Sequence, residues 1–428
     1  MPSFDTRVPA LLVRLDRNPF HHGTLGAARS LGRAGIPVHA LIESPDSPVA
    51  RSRYVRDVRV RPADPSPEAL VRQLGELAAT LSARAVLVPL DDVSALVLAR
   101  HRAELTDRYL LPEQPVRELD RVADKAALAE TCRALALPHP RTGIPGSSDE
   151  AATMARSLGL PVVAKWTRPW LLPPGAGLRS TSIVRSLAGV RALFARSPQA
   201  GSRLLLQELL PPGRDLDWFF HAYVDTAGRC RAGATGRKER SWPDGAGLTA
   251  VGRWARNAEV ERTAHTLLDA LGYRGVCDLD FRLDRSTGAY HLLDFNPRPG
   301  AQFRLFADSG GLDVVRALHL DLTGRPVPDH SPAYGRRFVV ENYAALSVLA
   351  SPRRRGPGPA RSGRPATETA WFAADDPVPA LAMGRAWFSH ALRKGSVTLR
   401  RILGSGPRRM SSAAPPAPRT SAQHMSRR

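Results

Sequence analysis

Residues 277–300, CDLDFRLDRSTGAYHLLDFNPRPG, alternate polar and apolar side chains on both sides of the turn Asp284-Arg285-Ser286-Thr287-Gly288. This is the pattern of two short antiparallel strands. Asp278, Asp280 and Arg282 fall on one face of the first strand, with Leu279, Phe281 and Leu283 on the other. On the second strand Leu292, Asp294 and Asn296 share a face opposite His291, Leu293 and Phe295. A hairpin closed symmetrically about its turn sets Asp280 across from Asp294, with Asn296 one step along. Two carboxylates so placed repel. Either the face is open to water, as half-buried antiparallel sheets commonly are, or a hard cation sits between the strands. Mg²⁺ is bound by a few carboxylates plus substrate phosphates. The run Asp294-Phe295-Asn296-Pro297-Arg298 favours the cation. Its proline ends the ladder, and an arginine beside paired acids suits a transferring phosphoryl group.

Only four of the 61 basic residues are lysine: Lys125, Lys165, Lys238 and Lys394. Where arginine meets the general need for positive charge, a retained lysine marks a place for a compact ammonium on a flexible stem. Asparagine is as sparse, and one of its four positions, Asn296, lies in the hairpin. Lys165 follows the buried-looking strand of residues 160–164, and Lys125 opens a helix behind Asp124. Upstream, residues 10–15 and 36–42 read as strands flanking a helix from Thr24 to Arg33, a βαβ unit. No G-x-G-x-x-G run accompanies it, so a dinucleotide is not indicated. Residues 85–90 form a further strand followed by Asp91 and Asp92. Such strand ends line ligand crevices, which makes Asp91, Asp92, His21 and His22 substrate-side candidates.

A chain of 428 residues holds two or three domains. Its three cysteines, far apart and without zinc or redox spacing, suit a reducing cytoplasm. The first residues carry no secretory pattern, and no apolar run approaches membrane-spanning length. A soluble cytoplasmic protein is expected, and a homo-oligomer is compatible with the chain. The net charge of +21 is unevenly spread, with fifteen arginine and lysine residues against three acids from Ser351 to Arg428. That composition reads as a basic, largely disordered tail. An amphipathic helix is expected within it at 378–403, carrying Leu381, Trp387, Phe388, Leu392 and Leu399. It would dock on the protein's own surface or make peripheral contact with acidic lipid or a partner. Charge so placed does not imply nucleic acid.

Several of these segments, in order, resemble the ATP-grasp enzymes, nearest to carboxylate–amine ligases of the D-aspartate ligase and carbamoyl phosphate synthetase large-chain type. Ala123-Asp124-Lys125 with residues 135–142 resembles the family's opening segment, less its usual glycine. Residues 161–165 resemble its phosphate-lysine strand, and 205–213 its adenine hinge. Gly236-Arg237-Lys238 with Pro243 and Gly247 resembles an active-site loop. Asp294, Asn296, Pro297 and Arg298 resemble its metal motif, with aspartate replacing the usual glutamate.

The resemblance implies an α/β and α+β fold. A Rossmann-like pre-ATP-grasp domain would span 1–112, the ATP-grasp N-lobe 113–200, the C-lobe 201–345 and the basic tail 346–428. It implies that Glu208 and Leu210 hold adenine through backbone amide and carbonyl groups, Asp215 the ribose, and Lys125 and Lys165 the α- and β-phosphates. A glycine-bearing lid would lie at 173–178. Asp280, Asp294 and Asn296 would ligate Mg²⁺ or Mn²⁺, with Arg298 and Lys238 acting on the γ-phosphoryl group and substrate. Trp242, Asp244, Gln302 and Arg304 would be neighbours of the site. The implied activity is ATP-dependent joining of a carboxylate to an amine through an acyl phosphate, releasing ADP and phosphate. The alternative is a catalytically reduced binding protein of the same fold whose tail meets an acidic partner or membrane surface.

Overall fold

The apolar run Ala10–Val13 is wholly buried and forms the central strand of a parallel sheet, as continuous hydrophobic strands do when both faces are covered. The computed structural model describes residues 2–243, 248–350 and 366–389. By its internal contacts the chain falls into two units, Met1–Met383 and Gly384–Arg428. The described residues of the second, 384–389, are helical.

Three sheets build the first unit. The parallel sheet runs Val55–Val60, Val38–Ile42, Ala10–Val13, Ala85–Pro89, Tyr109–Leu110. The strand order turns between Ala10–Val13 and Ala85–Pro89, so the carboxyl ends of these two strands open a crevice. The helix predicted from Thr24 begins two residues earlier, at His22, and runs to Arg33. Gly35, at φ +80°, turns the chain into the next strand.

A four-stranded antiparallel sheet follows, ordered Thr142–Gly143, Leu204–Glu208, Val162–Trp166, Thr181–Val184. Helices Ser148–Leu158 and Leu187–Phe194 cover it, closing a core around Val162, Ala164, Val190 and Leu206. The third sheet has seven strands: Tyr290–Asn296, Gly275–Leu283, Asp217–Val224, Cys230–Trp242, Leu248–Trp254, Arg337–Val339 and Thr367–Thr369. All its pairs are antiparallel except the last. Helix Ala258–Ala270 packs on it through Val260, Ala264, Leu267 and Leu268.

Residues 366–383, expected within the disordered tail, instead belong to the first unit. Thr367–Thr369 joins the large sheet, Trp371 is fully buried, and Asp376 locks onto the N-terminal helix. The buried Arg29 guanidinium donates to Asp376 Oδ2 at 2.9 Å and to the carbonyls of Ala370, Trp371 and Asp376. Ser52 Oγ donates to the same carboxylate at 2.7 Å. Arg33 and Tyr54 hold Asp375 at 2.8 and 2.6 Å. The three acids that look incidental in a basic tail, Glu368, Asp375 and Asp376, are therefore its attachment points, with Glu368 paired to Arg304 at 3.0 Å. Of the expected helix at 378–403, residues 378–389 are helical, with Leu381 and Phe388 exposed. The rest, including Lys394, lies outside the described residues.

Candidate functional site

The hairpin closes in the predicted register, Asp280 opposite Asp294 and Asp278 opposite Asn296. Its second strand carries one residue too many. Phe281 pairs with Leu292, so Leu293 is bulged out between two paired positions. Leu292 thereby turns into the core with Phe281 and Phe295, not onto the polar face where strict alternation sets it. The bulge aims the Leu293 carbonyl at Lys165 Nζ, 2.8 Å away.

Three lysines from three elements converge on this face. Lys125 is the first residue of helix Lys125–Ala134, capped by Asp124, which accepts from the amides of Ala126 and Ala127. Its Nζ forms an ion pair with Asp294. Lys165 lies inside Val162–Trp166, one residue deeper than a lysine following the strand. Lys238 reaches Asp280 Oδ1 at 2.7 Å. It stands in the long strand Cys230–Trp242, where a loop was expected. Asp244 and Gly247 lie outside the described residues.

Burial and charge divide the two facing acids. Burial pushes the Asp280 carboxyl above its ordinary value despite Lys238, with Asp278 and Asp294 adding to the rise. Burial acts the same way on Asp294, but Lys125 and Lys165 outweigh it and hold that carboxyl low. Burial likewise lowers the Lys165 ammonium, whereas Asp294 and Asp92 overcome it at Lys125.

Arg298 bridges the hairpin and the N-terminal sheet. Its Nε lies 3.3 Å from Asp92 Oδ1, and its Nη1 lies 3.4 Å from Asp278 Oδ2. Asp278 is gripped from behind by the fully buried His221, Nε2 to Oδ1 at 2.8 Å. Gly300 packs against both, and a Cβ there would stand 2.3 Å from His221 Cε1. The stem of Arg298 borders a cavity of about 60 Å³ walled by Leu87, Pro89, Leu111 and Tyr273, too small for a nucleotide.

The other expected residues are placed as follows. Glu208 ends the strand Leu204–Glu208; its amide donates to the Arg141 carbonyl at 2.9 Å and its carboxylate accepts from Arg141. The Leu210 carbonyl accepts from Arg282 Nη1 at 3.1 Å. Those hinge groups are thus engaged within the protein. Asp215 sits at φ +62°, a left-handed conformation that aspartate tolerates, facing Arg237 Nε at 3.4 Å. Asp217 is held by Arg282 at 2.6 Å. Asn296 donates Nδ2 to the Asp278 carbonyl at 3.3 Å. In the segment 173–178, expected as a lid, Gly175 and Gly177 have φ of +82° and +65°, with nothing packed where a side chain would project. His21 caps its helix through Nδ1, and His22 is buried beside the rings of Phe338 and Trp371. Asp91 ties the crevice together: Oδ1 accepts from Ser94, and Oδ2 from the amides of Leu15 and Asp16. Arg304 is a structural clamp on Asp313 and Glu368.

Asp278 shows in the sequence only as one of an alternating polar set. His221 carries no local signal; it meets Asp278 only through pairing of strands that are distant in the chain. Among the described residues no group of three or more His, Cys, Asp and Glu is placed to hold a metal. Two carboxylates and an amide oxygen on one face are nevertheless hard oxygen donors, which fit Mg²⁺ or Mn²⁺ shared with phosphates.

No protein-family profile matches the chain. It is 24% identical over 310 residues to a D-aspartate ligase of Enterococcus faecium (strain Aus0004), covering 69% of this chain and 73% of that protein. Its fold is similar to N5-carboxyaminoimidazole synthetase from Staphylococcus aureus solved with ADP, at a TM-score of 0.57 and 14% identity over 77% of this chain and 80% of that one. It is similar also to the biotin carboxylase domain of Hydrogenobacter thermophilus 2-oxoglutarate carboxylase, solved with ADP, MgADP and bicarbonate, at a TM-score of 0.57 and 16% identity over 75% and 71%. Among the described residues no helix is long and apolar enough to cross a membrane. With a parallel N-terminal sheet followed by two antiparallel lobes, the chain has the ATP-grasp fold.

Proposed function

We propose that the protein is an ATP-dependent ligase that joins a carboxylate to an amine. The observation that carries this reading is the polar face where Asp280 opposes Asp294, with Lys125, Lys238 and Arg298 paired to the surrounding acids. So many charges on a half-buried face suit a polyanionic substrate and its cation. In this reading residues 1–112 supply the crevice, 113–200 and 201–345 the two lobes that clasp ATP, and the hinge at Glu208 and Leu210 holds adenine by backbone groups other than the Glu208 amide and Leu210 carbonyl, which are bonded to Arg141 and Arg282. Asp215 takes the ribose hydroxyls, and Lys125 and Lys165 neutralise the α- and β-phosphates. Asp280, Asp294 and the Asn296 carbonyl oxygen would hold Mg²⁺ or Mn²⁺. When bound, that ion polarises the phosphoryl oxygens.

Arg298 and Lys238 stabilise the negative charge that builds as the substrate carboxylate attacks the γ-phosphorus and ADP leaves. The ammonium first loses a proton to water; the amine nitrogen then attacks the carbonyl carbon of the acyl phosphate, a C–N bond forms, phosphate departs with the C–O electron pair, and the nitrogen releases a second proton to the departing phosphate or water. No cysteine or serine nucleophile is required, because the phosphoryl group activates the acid. The distant likeness to a D-aspartate ligase supports this class of chemistry. The test is ADP release from Mg-ATP across a panel of amino acids and carboxylic acids. Turnover should appear with one acid and amine pair and vanish in the Asp294→Ala/Arg298→Ala variant; turnover unchanged in that variant would overturn the mechanism.

A further inference from the structure

We propose that Asp92 is the carboxylate that binds the amine substrate in its ammonium form. The proposal rests on the ligase reading and adds to it the residue that selects the nucleophile. Asp92 stands just past the carboxyl end of Ala85–Pro89, at the point where the strand order turns. Its neighbour Asp91 is a structural residue, with both oxygens accepting backbone amides. Asp92 differs: its Oδ1 has no aligned hydrogen bond, and the side chain keeps 21% of its surface exposed. Its ion partner is Arg298, which it shares with Asp278.

The other acids of the cluster each have a cation or an imidazole of their own. Asp280 has Lys238, Asp294 has Lys125, and Asp278 has His221. Among these four, only Asp92 has Arg298 as its one direct ion pair, with Lys125 acting on it from further away. When Arg298 turns its guanidinium to the phosphoryl group, Asp278 remains paired and Asp92 does not. A half-buried carboxylate left in that position calls for a second cation. A substrate ammonium supplies it, beside the arginine that the activated acid's phosphoryl group would engage. Binding of the two substrates is thereby ordered by a change of partner at one arginine.

The experiment compares wild type with Asp92→Asn and Asp92→Glu, using the amino-acid panel as amines and hydroxylamine as a nucleophile that is uncharged at neutral pH. Asp92→Asn should raise the KM for the amine about tenfold or more, the loss of one charge-assisted hydrogen bond. The KM for ATP should stay within about twofold, since no phosphate contact is removed. The deficit should shrink when hydroxylamine replaces the amine, and Asp92→Glu, which keeps the charge, should recover part of the amine affinity. An unchanged amine KM, or an equal loss with both nucleophiles, overturns the assignment while leaving the ligase reading standing. A wild type that releases no ADP with any pair overturns the ligase reading and the assignment with it.

Discussion

Replacing Lys238 by methionine should destabilise the protein by about 3 kcal/mol at neutral pH, the low end for breaking a buried pair. At the observed 2.7 Å to Asp280 Oδ1, the Coulomb attraction at an effective dielectric of 20 is about 6 kcal/mol. Removing the ammonium also removes its own desolvation cost, which offsets roughly half of that. Lys238 and Asp280 keep 16% and 25% side-chain exposure, which places the pair between a surface and a fully buried one. What remains in the variant is a carboxylate across the ladder from Asp294 and near Asp278.

The double variant Lys238→Met/Asp280→Asn should therefore be more stable than Lys238→Met alone. The pH dependence has a definite sign. Burial already raises the Asp280 carboxyl above its ordinary value, and loss of Lys238 raises it further. An acid raised on folding is stabilising only while protonated; that contribution is present at low pH and lost as pH rises through the folded value. The deficit of Lys238→Met should accordingly narrow as the pH falls from neutrality toward the raised value. Urea unfolding of the ligand-free protein, followed by tryptophan fluorescence, measures all three quantities. A deficit below about 1 kcal/mol, the worth of an exposed pair, or a double variant less stable than the single, would refute the reasoning.

Two further outcomes follow from packing. Gly300→Ala should cost about 1–3 kcal/mol in thermal denaturation and lower turnover, because the new Cβ falls 2.3 Å from His221 Cε1 and 2.7 Å from the Asp278 carboxylate that steadies Arg298; wild-type turnover in this variant would contradict that support. Asp376→Ala should cost about 3–5 kcal/mol, read as a urea midpoint shift, because it strands the buried Arg29 and removes the acceptor of Ser52. An unchanged midpoint would show that the C-terminal segment is not bound as described.

The sequence determined this protein's local structure and the chemistry of its polar face. Period-two alternation set Asp280 against Asp294, an aspartate cap began the helix at Lys125, and continuous apolar runs marked the parallel strands. Each is a signal carried by neighbouring residues, so it can be read along the chain. Scarcity of lysine also pointed to Lys125, Lys165 and Lys238, which meet at one site. The tertiary structure decided what depends on residues distant in the chain. The bulge at Leu293 answers to Lys165 on another sheet, since alternation alone cannot show where a strand must yield one residue. His221 acquires its role from Asp278, 57 positions away, and Asp92 from Arg298, still further along. The acids of the basic tail look incidental in composition because charge counting is blind to partners. Packed against Arg29, Arg33 and Arg304, they hold the C-terminal segment to the fold.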